Sequence, residues 1–252
     1  MAPMHRLLMV ALVALSLTLD VTPSDACSCM FPQSKLWSPS DGGPAPLNAR
    51  ITVLVPSYPG YGRMVLRPVG GSAVDVVEQA HDVGATTVKV LTPKQPLAAD
   101  TRYELAMTAR PQHPKTLVFG TFATGDTTDD KAPAFAQPTA IDYFEETSSR
   151  MTSCQSHERW LEIRQAAAVD ARGHSTVLYG VWLSETGKPD LTAAPTWILP
   201  MEDGLLRIGA RHMCSFLRPK LPDARKAQVA VAAFDDAGNR SAVHQLRVSM
   251  TR

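Results

Sequence analysis

Two short clusters in the second half of the chain hold side chains able to do chemistry. Cys154-Gln155-Ser156-His157 and His212-Met213-Cys214 would, if adjacent, offer two sulfurs and two imidazoles, the ligand set of a tetrahedral zinc site. The same two thiols could instead close a disulfide, which is the default in an exported chain. In the loop-entropy model a bridge closing about 60 residues stabilises by roughly 4 kcal/mol. C-x-x-H paired with H-x-C is an uncommon zinc spacing. The expectation is therefore a Cys154 to Cys214 disulfide, with the metal set Cys154, His157, His212 and Cys214 as the alternative. A third cluster, Asp126, Asp129 and Asp130, gathers hard oxygens that could hold Ca²⁺ at a domain junction. These carboxylates lack the fixed spacing of a calcium loop, so a solvated linker is the simpler reading.

The remaining cysteines, Cys27 and Cys29, follow a segment with its own logic. His5 and Arg6 give a modest positive start, Leu7 to Leu19 is a continuous apolar run, and Ser24-Asp25-Ala26 supplies small residues before Cys27. That pattern predicts a secretory signal over residues 1–26, cleaved to leave Cys27 first and the protein exported. The run is too short for a bilayer span of roughly 20 residues. A lipid anchor on Cys27 is a second outcome, against which stand Ser24 and Asp25. Cys27-Ser28-Cys29 also resembles the start of the tissue inhibitors of metalloproteinases, which implies protease inhibition through Cys27. The match is three residues long, and an exposed tether is the plainer reading.

No catalytic constellation is visible. The sequence has no G-x-S-x-G, no H-E-x-x-H and no phosphate-binding G-x-x-x-x-G-K-[ST], and its histidines fall singly on turns and strand ends. No cofactor is expected. With 25 basic and 24 acidic residues, the chain lacks the basic excess of a nucleic-acid binder. Membrane contact is expected only through the signal or a lipid anchor.

The elements that position these residues read as strands. Arg50 to Val55, Arg63 to Val69, Ala73 to Gln79, Thr86 to Leu91, Thr101 to Ala109 and Thr116 to Thr124 are short runs, several of them alternating, cut by Pro, Gly and Asp. No sustained 3.6 period appears. Strands every 8 to 15 residues predict a sandwich. Trp37-Ser38-Pro39-Ser40-Asp41-Gly42-Gly43, Pro96-Leu97-Ala98-Ala99-Asp100-Thr101-Arg102-Tyr103 and Phe122-Ala123-Thr124-Gly125-Asp126 resemble bacterial Ig-like domains of the S-layer type. The resemblance implies a spacer or binding unit and no catalysis.

Further on, Thr139 to Phe144, Arg159 to Ala168, Thr176 to Glu185, a hairpin from Thr196 to Ala210 about Glu202-Asp203-Gly204, and a closing hairpin about Asp235 to Ser241 predict a second sandwich. Phe234 to Ser241 resembles the last turn of fibronectin type III and related Ig-like domains, and Trp182 resembles their core tryptophan. A tyrosine corner is missing, since Gln228 and Val229 stand where a tyrosine is expected.

The sequence thus predicts an all-β protein of two tandem Ig-like β-sandwiches with separate cores. Residues 27–45 form an extended lead-in, 46–126 the first domain, 127–134 a solvated linker and 135–252 the second domain. The expected role is adhesion, scaffolding or ligand display at the cell envelope toward a protein or glycan. Tyr58 and Tyr61, flanking Pro59-Gly60, are the candidate binding surface; Trp37 is a further aromatic residue near a loop, and Trp197 is read as covering its own sandwich end.

Overall fold

The computed structural model describes residues 34–40, 43–57, 63–84, 86–108, 116–147, 157–173, 176–210 and 219–250. The signal segment, the four cysteines, His212, Tyr58 and Tyr61 lie outside the described residues.

Fourteen strands and no helix occur among the described residues. The first half holds β1 (Lys35–Ser38), β2 (Ile51–Pro56), β3 (Met64–Pro68), β4 (Val76–Asp82), β5 (Thr86–Pro93), β6 (Arg102–Met107) and β7 (Leu117–Ala123). The second holds β8 (Ala140–Thr147), β9 (His157–Arg164), β10 (Leu178–Ser184), β11 (Trp197–Leu199), β12 (Leu205–Gly209), β13 (Lys226–Phe234) and β14 (His244–Ser249). β1 falls inside the expected lead-in: Lys35-Leu36-Trp37-Ser38 pairs with β2, so the first domain begins before residue 46.

Each half is an antiparallel two-sheet sandwich, and the two differ in one strand. The first has sheets β1-β2-β5-β4 and β3-β6-β7, the four-plus-three division of constant-type Ig domains. In the second, the fourth strand has changed sides: β11 joins β10, giving β11-β10-β13-β14 opposite β12-β9-β8. This is the fibronectin type III arrangement. The expected Thr196 to Ala210 hairpin is overturned for the same reason. Glu202 and Leu205 exchange both backbone hydrogen bonds across a turn with Asp203 and Gly204 at positive φ. The chain then parts, because β11 belongs to one sheet and β12 to the other.

Burial also corrects the expectation of two separate cores. All six residues of β2 are buried, whereas a strand in a simple two-layer sandwich exposes alternate side chains. Ile51, Val53 and Val55 face the first core with Leu66, Leu91, Tyr103 and Phe122. On the opposite face Leu54 and its register partner Val88 join Val83 in the hydrophobic cluster of the second sandwich, with Trp37 packed against it. The outer face of the first sheet is therefore covered by the second domain around Leu54, Val88 and His81, while Val77 and Gln79 of β4 stay exposed. Its β4 edge meets β11.

Trp182 is also displaced from its expected role. It is buried with Ala230 and Ala232, apart from the core that holds Tyr179 and Val181. Its indole N–H donates to the Ala193 carbonyl at 2.9 Å, and the Arg240 guanidinium lies 5.9 Å from its ring centre. Tyr179 of the same strand is in that core, together with Trp197 and Phe135.

Candidate cation centre at the domain junction

The segment between the sandwiches is hydrogen bonded along its length. Leu47 N donates to Thr127 O at 2.9 Å. The Asn48 amide takes both backbone groups of Asp129, its Nδ2 donating to the carbonyl at 2.8 Å and its Oδ1 accepting from the amide at 2.9 Å. From the other side Asn239 Nδ2 donates to the same Asp129 carbonyl. Asp129 and Pro133 are buried, while Thr127, Thr128, Asp130, Lys131, Ala132 and Ala134 are exposed, so the linker expected over residues 127–134 is solvated at most positions and anchored through Asp129. Polar backbone can be buried here because two asparagine amides supply the partners water would have given.

Asp129 lies beside Asp170, from the turn between β9 and β10, and Asp235, from the turn between β13 and β14. One carboxylate oxygen of each falls within 4.8 Å of the others, and all three residues are buried. Of the three aspartates singled out in the sequence, the structure brings only Asp129 to this cluster. Its partners had a legible signal: Asp170-Ala171-Arg172-Gly173 and Asp235-Asp236-Ala237-Gly238 repeat D-x-x-G. In both, the glycine amide donates to the aspartate carbonyl at 3.0 Å and the glycine adopts a positive φ, +74° and +80°, a conformation that favours glycine.

The three carboxylates are oriented alike. Each Oδ1 accepts from the amide two residues on: Lys131 N to Asp129 at 3.0 Å, Arg172 N to Asp170 at 2.9 Å and Ala237 N to Asp235 at 2.9 Å. Asp235 Oδ2 accepts from Asn239 Nδ2 at 3.0 Å. The Oδ2 atoms of Asp129 and Asp170 are buried without a hydrogen-bond partner. None of the ion pairs found among the described residues reaches any of the three. Burial pushes the Asp235 carboxyl above the usual range, and the charges of Asp129 and Asp170 add to that against the bonds from Asn239.

Next to this cluster Asp236 binds the domains directly. Its Oδ1 accepts from Ser38 Oγ at 2.5 Å and from Thr176 N at 3.2 Å, and its carbonyl accepts from Arg50 N at 2.7 Å. Burial pushes its carboxyl up to about 6 against the opposing Ser38 hydroxyl. Arg172 reaches back to the Pro44 carbonyl. At the far side of the junction His81 Nδ1 donates to Pro195 O at 3.1 Å.

Among the other candidates, His157 is at the start of β9 with both ring nitrogens engaged, Nδ1 with Thr147 Oγ1 at 3.1 Å and Nε2 with Glu145 at 2.9 Å. Trp197 is buried in the second core and Trp37 half-buried against it. A tyrosine corner does exist, in the first sandwich: near the start of β6 the Tyr103 hydroxyl accepts from Ala98 N at 2.8 Å.

No family model matches the sequence, and no curated protein matches it. Among solved structures the chain is similar to the crystal structure of chicken CNTN1 FN1-FN3 domains, at 11% identity and a TM-score of 0.26. That match covers 88% of this chain and 66% of that one. The Ig-like and fibronectin type III assignment of the two halves rests on the strand order above.

Proposed function

We propose that the chain is an exported, non-catalytic module of the cell envelope in which two Ig-like sandwiches act as one braced unit, holding a protein- or glycan-binding surface at a fixed angle. The observation that carries this reading is the burial of β2 on both faces. One face packs on its own domain and the other, through Leu54 beside Val88 of β5, on the second. Interfaces of this kind suppress the relative motion that is otherwise the default for neighbouring domains. Export follows from the apolar run Leu7 to Leu19 and the small residues before Cys27.

The test is domain orientation in solution. Residual dipolar couplings measured for amides of both sandwiches should fit one alignment tensor. Two unequal tensors would mean independent tumbling and end the proposal. Mass spectrometry of the secreted protein should give an N-terminus at Cys27, and a lipid mass on that residue would specify an anchored form.

A further inference from the structure

We infer that Asp129, Asp170 and Asp235 bind one calcium ion, which fastens the interdomain segment to two turns of the second sandwich. The consequence for bracing rests on the functional reading above, while the binding rests on the carboxylates themselves.

The first observation is geometric. Two oxygens bound to one Ca²⁺ at about 2.4 Å lie at most about 4.8 Å apart, and the three carboxylate atoms meet that limit. The second is that acceptor capacity is left over. Asp129 and Asp170 are 6% and 5% exposed, and the Oδ2 atom of each is buried with no hydrogen-bond partner. Each of these residues has already committed Oδ1 to a backbone amide, which leaves the second oxygen as the one with acceptor capacity to spare. A buried carboxylate oxygen without a partner is costly, and three buried carboxylates together repel. One proton would neutralise one of the three charges; a divalent cation attracts all of them.

The donor set selects the ion. It is all oxygen, with neither nitrogen nor sulfur, so it suits a hard cation and not zinc. Magnesium keeps several waters and commonly takes one or two carboxylates, whereas calcium accepts six to eight oxygens in adaptable geometry. Three convergent buried carboxylates, completed by carbonyl or water oxygens, fit calcium better. The ion would sit against Asn239, which donates to both Asp235 Oδ2 and the Asp129 carbonyl. It would thereby act on the backbone that Asn48 of the first sandwich holds from the opposite side.

The experiment titrates CaCl₂ into the full exported chain after chelator treatment, by calorimetry and by amide chemical shifts. One ion per chain is expected, with the Lys131, Arg172 and Ala237 amides among the most shifted. At calcium a hundredfold above the dissociation constant, the melting midpoint should rise by about 5–10 °C. Asp129→Asn and Asp170→Asn should weaken binding by roughly tenfold or more, while Asp126→Asn and Asp130→Asn, at exposed positions, should leave it unchanged. If the buried variants do not fold, the wild-type shifts decide alone. No saturable binding at millimolar CaCl₂, shifts confined to other amides, or equally tight binding of MgCl₂ would each overturn the assignment. Dipolar couplings of the calcium-free protein separate this outcome from failure of the braced-unit reading.

Discussion

Ser38 of β1 donates its hydroxyl proton to Asp236 Oδ1 at 2.5 Å, joining buried residues 198 positions apart across the domain boundary. Ser38→Ala leaves that carboxyl oxygen with only the long bond from Thr176 N. Losing one partner of a buried pair costs about 1–3 kcal/mol. Asp236→Asn keeps an oxygen for both donors and removes a buried charge, so it should stay within about 1 kcal/mol of wild type. Urea titrations of the two variants check the contrast, and equal losses would refute it.

His81 gives the junction a pH dependence. The ring is buried on β4, Nδ1 donates to Pro195 O, and Nε2 is buried without a partner. Burial lowers the imidazole below its usual value, with the Pro195 carbonyl opposing that. As pH falls the unfolded chain therefore takes up the proton first. The stability contribution is complete above about 6.5 and is lost as pH drops from there toward the lowered folded value. His81→Gln, which keeps a donor and does not titrate, should flatten the fall in unfolding free energy between pH 7 and 5. Parallel slopes for the two proteins would show that this ring does not drive the effect.

Most strands were legible because period-two alternation survives wherever one face meets a core. β6 is an example, with Tyr103, Leu105 and Met107 all buried. What alternation does not carry is where a second face goes. The run Ile51 to Pro56 reads as a strand, yet only the docked neighbour explains why Leu54 is buried as well as Val53. Glu202-Asp203-Gly204 likewise specifies a turn and not the sheet each arm joins. For the acidic centre, crowding in sequence pointed to Asp126, Asp129 and Asp130. The atoms that converge come from turns 41 and 65 residues apart along the chain, and only the repeated D-x-x-G marked two of them as similar.

A Cys154 to Cys214 disulfide is the expectation carried over from the sequence. β9 and β12 are paired through Trp160 and Gly209, and Ala210 N donates to Arg159 O at 3.1 Å just beyond. In the sequence Cys154 lies three residues before His157 and Cys214 four beyond Ala210. A non-reduced digest of the secreted protein should contain one peptide pair linked through these cysteines. Free thiols at both, with zinc in the purified protein, would instead favour the Cys154, His157, His212 and Cys214 alternative.

The shared core predicts how the molecule unfolds. Each sandwich carries a tyrosine hydroxyl that accepts from a backbone amide, Tyr103 from Ala98 at 2.8 Å and Tyr179 from Ala168 at 2.9 Å. Tyrosine to phenylalanine at either site leaves an amide unpaired, at a cost of about 1–3 kcal/mol. Were the domains independent, Tyr103→Phe would shift only the melting of the first and Tyr179→Phe only that of the second. With Leu54, Val83 and Val88 built into the second domain's cluster, opening either sandwich strips apolar surface from the other. Calorimetry should show one transition, displaced as a whole by each variant, with calorimetric and van't Hoff enthalpies agreeing. A transition that splits, with one component unmoved in each variant, would mean that the interface does not couple the two domains.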